Sequence, residues 1–197
     1  GYLCAMVYPI VAFGSPVLKR RAKNVECPND ALGGLVDSMF ETMYASKGVG
    51  LAAPQIGFGT RIFVVDGSPF ADDPDNAEDA EVLKSFKKVF INPEILEESG
   101  DEWAFEEGCL SIPGIREYIG RQESLTLHYF DENWSEFTET FVGMQARIIQ
   151  HEYDHLEGLL FTDRISGFKK RLLQGKLNKL KKGITDADYK VKMTLKK

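Results

Sequence analysis

Cysteine and histidine are both scarce in this chain, with three of each among 197 residues. The odd, scattered set Cys4, Cys27 and Cys109 does not make a disulfide framework. A reducing compartment is expected, and each thiol is left free to act as a ligand or as a small buried side chain. Long apolar runs are missing too. No stretch of 18 such residues exists, which excludes a transmembrane helix. The N-terminus shows no basic region followed by an apolar stretch, so no secretion signal is expected. Basic charge is not in excess. A net charge of −6 argues against sequence-specific or general nucleic-acid binding. There is no internal repeat.

What the chain does have is a core. Apolar residues make up 43% and aromatic residues 11%, enough for one domain spanning residues 1–197. Gly1 to Ala5, ahead of Met6, read as a remnant of cloning. Asn29 or Asp30 can cap a helix whose apolar positions Leu32, Leu35, Val36, Met39, Phe40 and Met43 recur at helical spacing, with Gly48 as the stop. Small residues and Pro54 mark Gly48 to Gly59 as a loop with exposed backbone. Arg61 to Val65 reads as a short buried strand. Asp66 to Glu81 holds seven acids and no base, and residues 66–87 read as a solvated insertion or mobile loop. Strands are expected over Val89–Leu96, Glu102–Phe105, around Leu125–Tyr129 and over Glu136–Val142, the last two joined by a turn at Asp131-Glu132-Asn133. A buried helix begins near Gly143. A last helix, about Arg164 to Lys182 in a basic tail running from 164 to 197, is expected to bury Leu172, Leu173, Leu177 and Leu180. Strands and helices do not alternate as βαβ units, so the class is α+β: small antiparallel or mixed sheets around a central helix, flanked by N- and C-terminal helices.

The most informative stretch is His151-Glu152-Tyr153-Asp154-His155. Histidines four apart on a helix lie one turn above each other, so both imidazoles can reach one metal ion. Glu152 beside them suits a general base acting on water, the arrangement of a hydrolytic HExxH site. Such a site takes three protein ligands and keeps one position open. The metzincin pattern needs histidine where Phe161 stands. A glutamate from a following helix is also missing, because beyond Asp163 the only acids are Asp186 and Asp188. Two candidates remain. His128 sits in mid-strand, where a lone histidine is ordinarily surface or structural. Cys109 follows Gly108 in a tight bend and is the better choice, since thiolates bind borderline metals strongly. Asp154 and Gln150 read as structural or as orienting a ligand. Arg147 is unexpected one turn before His151, where an apolar residue would line a pocket. A metalloendopeptidase would need a third histidine or glutamate ligand, and a non-enzymatic metal-binding protein has no use for Glu152.

Three short stretches now stand in order: Gly48-Val49-Gly50-Leu51-Ala52-Ala53-Pro54-Gln55, Glu107-Gly108-Cys109-Leu110-Ser111 and Gln150-His151-Glu152-Tyr153-Asp154-His155. Together they resemble the peptide deformylase family, over roughly Pro9 to Arg164. The resemblance implies hydrolysis of the formyl group from N-formylmethionyl nascent peptides. It also implies one divalent metal held by Cys109, His151 and His155. That metal is ferrous iron in the cell by expectation, with zinc, nickel or cobalt as substitutes. Glu152 would carry the proton, and the Gln55 amide and Leu110 N–H would meet the oxyanion. Gly48 and Gly50 would let the loop backbone approach the peptide as an added strand. Val49, Leu110, Met144 and Ile148 would line an apolar methionine pocket, with Gly108 and Gly50 leaving room for formyl but not bulkier acyl groups. Bacterial cytoplasm is the expected location, or an organelle once a transit segment is removed. The basic helix is either a solvated face or a dock for ribosomal RNA through Lys169, Lys170, Arg171, Lys176, Lys179, Lys181 and Lys182.

Overall fold

A computed structural model of the chain describes residues 4–26 and 30–193. Gly1 to Leu3, Cys27 and the cap candidate Asn29 lie outside the described residues. In chain order the elements are β1 (Ile10–Val11), α1 (Asp30–Ala45), β2 (Gly50–Ala52), β3 (Ile62–Asp66), α2 (Ser68–Ala71) and α3 (Ala80–Lys84). There follow β4 (Lys87–Cys109), β5 (Ile112–Phe130), β6 (Glu136–Val142), α4 (Gly143–Leu156), α5 (Gly167–Lys181) and β7 (Val191–Lys192). Strands β2 to β6 form one antiparallel sheet in sequence order, while β1 and β7 pair in parallel as a second, two-stranded sheet. The α+β expectation holds.

Side chains of a strand alternate between its two faces, and β3 shows why its run is wholly apolar. Ile62 and Val64 join Val36, Met39 and Met43 of α1. Phe63 and Val65 point the other way, to Met144, Ala146, Ile149 and Leu156 of α4. At β3 the sheet is therefore buried on both faces, with α4 packed on one and α1 on the other. A third cluster joins the β4–β5 tip (Ile112, Ile115, Ile119) to Leu177 and Leu180 of α5.

Four local expectations need correction. Gly48–Gly59 is not an exposed loop. Its residues 50–52 are a sheet strand, Ala53–Ile56 turn as a 3₁₀ helix, and Leu51 through Ile56 are buried, because the small side chains let this backbone slot between α1 and α4. The two strands expected over 89–105 are one long bent strand, β4, whose register shifts at bulges such as Ser99/Glu102 absorb the polar interruption. Residues 66–87 are not a mobile insertion. They hold α2, α3 and the buried side chains Asn76, Leu83 and Phe86. Asp79 Oδ2 accepts the Met144 N–H at 3.0 Å, capping the start of α4, where Val142 offers no side-chain cap. Gly143 has φ +60°, and a Cβ there would stand 2.7 Å from the Asp79 carboxylate. Finally, α5 buries Leu177 and Leu180, but Leu172 is 69% exposed because it falls on the outer side of the helix.

Candidate metal centre

Helix α4 presents His151 and His155 with ring centroids 5.2 Å apart. The end of β4 delivers Cys109, whose Sγ lies 3.5 Å from His155 Nε2. One donor atom from each of the three residues lies within 4.8 Å of the others. Bonds of about 2.3 Å to sulfur and about 2.05 Å to nitrogen, set at a tetrahedral angle, separate S and N by about 3.6 Å, close to the observed spacing, so it suits a single ion.

The surroundings orient these donors. Glu107, two residues before Cys109, is buried, and its Oε1 lies 2.8 Å from His151 Nδ1. With Nδ1–H donating there, Nε2 of His151 is left as the ring nitrogen available beside Cys109. Glu107 also receives Arg121 through Nε at 2.7 Å and Nη2 at 3.0 Å, and Arg147 Nη1 at 2.7 Å. Asp154 completes the network with Arg121 Nη1 at 2.8 Å and a bidentate pair from Arg164, both bonds at 2.6 Å. Burial alone would push the Glu107 carboxyl up, but the His151 and Arg121 hydrogen bonds and charges outweigh it and hold it well below the carboxylate range. Burial opposes a proton on His151, yet Cys109 and Glu107 together draw it well above an ordinary imidazole. At His155 the sign is opposite: burial first, then the charge of His151, holds its imidazole well below the ordinary value, which keeps it in the neutral form a ligand needs.

Glu152 is 4% exposed, and its Oε2 has no hydrogen-bond partner among the described residues. Burial first, with the nearby Glu107 charge adding to it, pushes its carboxyl up to about 7 against the pull of His151. It packs so closely on Gly50 that a Cβ there would stand 2.5 Å from Glu152 Oε1, so the loop glycine is a steric requirement of the carboxylate. Gln55 is 2% exposed. Its Oε1 accepts the Ala52 N–H at 3.0 Å, which turns Nε2 toward Cys109 Sγ at 3.5 Å and Ser111 Oγ at 3.3 Å.

A cavity of about 650 Å³ opens over this group, within the range of ligand sites. Of the residues expected to meet substrate, Gly48, Val49, Gly50, Gly108, Leu110 and Ile148 line it. Met144 does not. It is 1% exposed in the core one turn before Ile148, beneath the Asp79 cap. His128 is elsewhere, bonded to Glu136 at 2.6 Å on the sheet surface. Three features went unread in the sequence. Glu107 is the hub of the buried charges, and a carboxylate two residues from the cysteine on one strand was the available signal. The role of Arg147, noted in the sequence only as unexpected, is the second: it lines the cavity, stacks over Trp103 at 4.3 Å and bonds the Trp103 and Ile119 carbonyls. Asp186 to Tyr189 of the C-terminal tail line the cavity, for which no local signal existed.

A desolvated carboxylate beside a thiol and two imidazoles, facing an open cleft, belongs to the metal-dependent hydrolases. Comparison with known proteins narrows the class. Residues 7–171 match the family described as polypeptide deformylase. The chain is 52% identical over 188 residues to the peptide deformylase of Christiangramia forsetii, covering 95% of this chain and 96% of that protein. It is 51% identical over 192 residues to that of Cytophaga hutchinsonii, covering 98% and 100%. Its fold superposes on a peptide deformylase from Legionella pneumophila with a TM-score of 0.76 at 38% identity, spanning 89% and 96% of the two chains. The Ehrlichia chaffeensis enzyme in complex with actinonin gives a TM-score of 0.78 at 35% identity, spanning 90% and 98%. The chain belongs to the polypeptide deformylase family. It is a metal-dependent enzyme that hydrolyses the N-formyl group from nascent peptides, a step of N-terminal processing in protein biosynthesis.

Proposed function

We propose that Cys109, His151 and His155 hold one divalent cation, ferrous iron in the cell and replaceable by zinc, nickel or cobalt, within a single catalytic domain. The observation that carries this is the convergence of three donor atoms within 4.8 Å of one another beside the buried, partnerless Glu152 Oε2. A divalent ion bound there lowers the pKa of a water from about 15.7 toward roughly 7–9 and polarises a carbonyl.

The chain's own groups do the rest. Glu152 takes the proton of the attacking water and gives it to the departing amine. A carboxyl raised by burial suits a group that must both accept and release a proton near neutral pH. One thiolate and two neutral imidazoles leave only +1 of a dication's charge, so added donors must hold the oxyanion. Gln55 Nε2, locked by the Ala52 contact, and the Leu110 N–H fill that role. Strand β2 is an edge of the sheet, so the substrate backbone can pair beside Gly48–Gly50 as a further strand. Val49, Leu110 and Ile148 receive the methionine side chain, while Gly50 and Gly108 keep the acyl end small.

Substrate supply favours bacterial cytoplasm, or an organelle after loss of a transit segment. The ribosomal contact falls to α5, whose Arg171, Lys176, Lys179, Lys181 and Lys182 are exposed, while Lys169 and Lys170 are engaged by Glu117 and Asp163. Charge reversal at Lys176 and Lys179 should then weaken salt-dependent co-sedimentation with ribosomes.

Assays of formyl-Met-Ala-Ser and casein with the wild type and Glu152→Ala test the site. Formate release falling by about 10²- to 10⁴-fold in a variant that retains its metal is the expected result. Casein cleavage, or full deformylation by the variant, would overturn the assignment of these roles.

A further inference from the structure

Strand β4 ends at Cys109 and β5 begins at Ile112, so Leu110 and Ser111 make the turn between them. Two-residue hairpin turns favour positive φ, usually from glycine or asparagine. Neither Leu110 nor Ser111 is of that kind, and neither has a positive φ. Bonds from other parts of the chain fix the turn instead. The Phe13 N–H donates to the Ser111 carbonyl at 2.8 Å, and Gln55 Nε2 donates to Ser111 Oγ at 3.3 Å. The Tyr189 hydroxyl donates to the Leu110 carbonyl at 2.6 Å, from 79 residues further along the chain.

That tyrosine is itself well anchored. Two residues on, β7 pairs with β1, Ile10 opposite Val191. One residue before, Asp188 pairs with Lys47 Nζ at 3.0 Å, next to the Gly48 loop. The Tyr189 ring is half-buried against the cluster of α1 and β2, and its segment walls the cavity that holds Cys109 and Glu152. Residues 186–189 therefore reach the site as part of its wall.

We propose that Tyr189 is a positioning residue for deformylation: its hydroxyl fixes the Leu110 carbonyl, so that the Leu110 N–H on the other side of the same residue stays aimed at the developing oxyanion. The proposal rests on the reading of Leu110 as an oxyanion donor. Cys109 restrains one side of Leu110 and Tyr189 the other. Without the hydroxyl, the carbonyl can turn to other partners and carry the residue with it. A donor misaimed costs less than a donor removed, which is worth about 10²- to 10³-fold in kcat. An effect exerted only in the transition state lowers kcat and leaves KM unchanged.

The test is steady-state deformylation of formyl-Met-Ala-Ser by wild type and Tyr189→Phe, both loaded with the same metal. Phenylalanine keeps the ring in its pocket, so the melting temperature and metal content should match the wild type. The expected result is a fall of about tenfold in kcat with KM within twofold. Turnover equal to wild type would overturn the proposal. So would a fall in kcat that appears only with lost metal or a lowered melting temperature, since the hydroxyl would then be a stabilising contact and nothing more. Failure of the underlying reading has a different signature: Leu110→Pro, which deletes the N–H and keeps the carbonyl, would then turn over as the wild type does with metal content and melting temperature unchanged.

Discussion

The two sides of helix α4 treat their buried polar groups in opposite ways. Toward β4 and β5, Glu107, Arg121, Arg147 and Asp154 bond one another, and within that set only Arg147 Nε lacks a partner. Toward the cleft, Glu152 Oε2 is buried with no partner among the described residues. An unpaired buried polar atom costs about 1–3 kcal/mol, so folded chains carry few and keep them where something else will use them. The paired side holds the helix and ring of His151 in one orientation; the unpaired side is where chemistry happens. The difference teaches that the cost is spread unevenly by design of the site, with rigidity on one flank supporting reactivity on the other.

Breaking the cleft side should be felt in rate first. Gln55→Ala removes an amide that bonds the Ala52 N–H, the Ser111 hydroxyl and Cys109 Sγ. We expect kcat for formyl-Met-Ala-Ser to fall by about 10²- to 10³-fold, with metal content unchanged. A loss below tenfold would remove Gln55 from the oxyanion role.

Breaking the paired side should be felt in metal and stability first. Glu107→Gln keeps the shape of the hub but leaves Arg147 without a carboxylate and weakens the bond that orients His151. Metal affinity should fall about 10- to 100-fold. Stability to denaturant should fall by about 3–5 kcal/mol, as when one member of a buried pair is removed. Acid offers a milder version of the same break. The Glu107 carboxyl takes up its proton at an ordinary 4.5 in the unfolded chain but far lower in the folded one. Its contribution is complete above that value and is lost as pH falls below it, by about 1.4 kcal/mol per pH unit at most. The wild type should therefore lose stability below about pH 4.5 more steeply than Glu107→Gln does, as melting curves at a series of pH values would show.

The same contrast governs how much was legible in the sequence. The pair His151 and His155, with Glu152 between them, is a local pattern set by helical geometry, so it could be read directly, and Cys109 followed because so few other ligands exist. The short apolar run that makes β3 a buried strand and the bounds of β6 were equally local. Residues whose role depends on a distant partner were not legible. Seven acids over 66–81 announce solubility, yet Asp79 is there to cap a helix that begins 64 residues later, and composition carries no trace of that pairing. Met144 and Ile148 share one face of α4, but spacing alone does not tell which turn of the helix lies under the cleft. Arg121 looks like any strand arginine until the fold places Glu107 and Asp154 on either side of it. The tail residues Asp186 to Tyr189 required the β1–β7 pairing before they could be put near the site.

The smallest expected effect belongs to the one histidine on neither flank. His128 lies in β5, opposite Thr138 of β6, with 27% of its side chain exposed and its Nε2 on Glu136. A half-exposed pair of this kind contributes about 0–1 kcal/mol. His128→Asn should therefore change stability by no more than that, bind one metal per chain and turn over within twofold of wild type. A variant that lost its metal would mean that the third ligand comes from the sheet surface, and the division between a paired flank and an open one would have to be redrawn around a different centre.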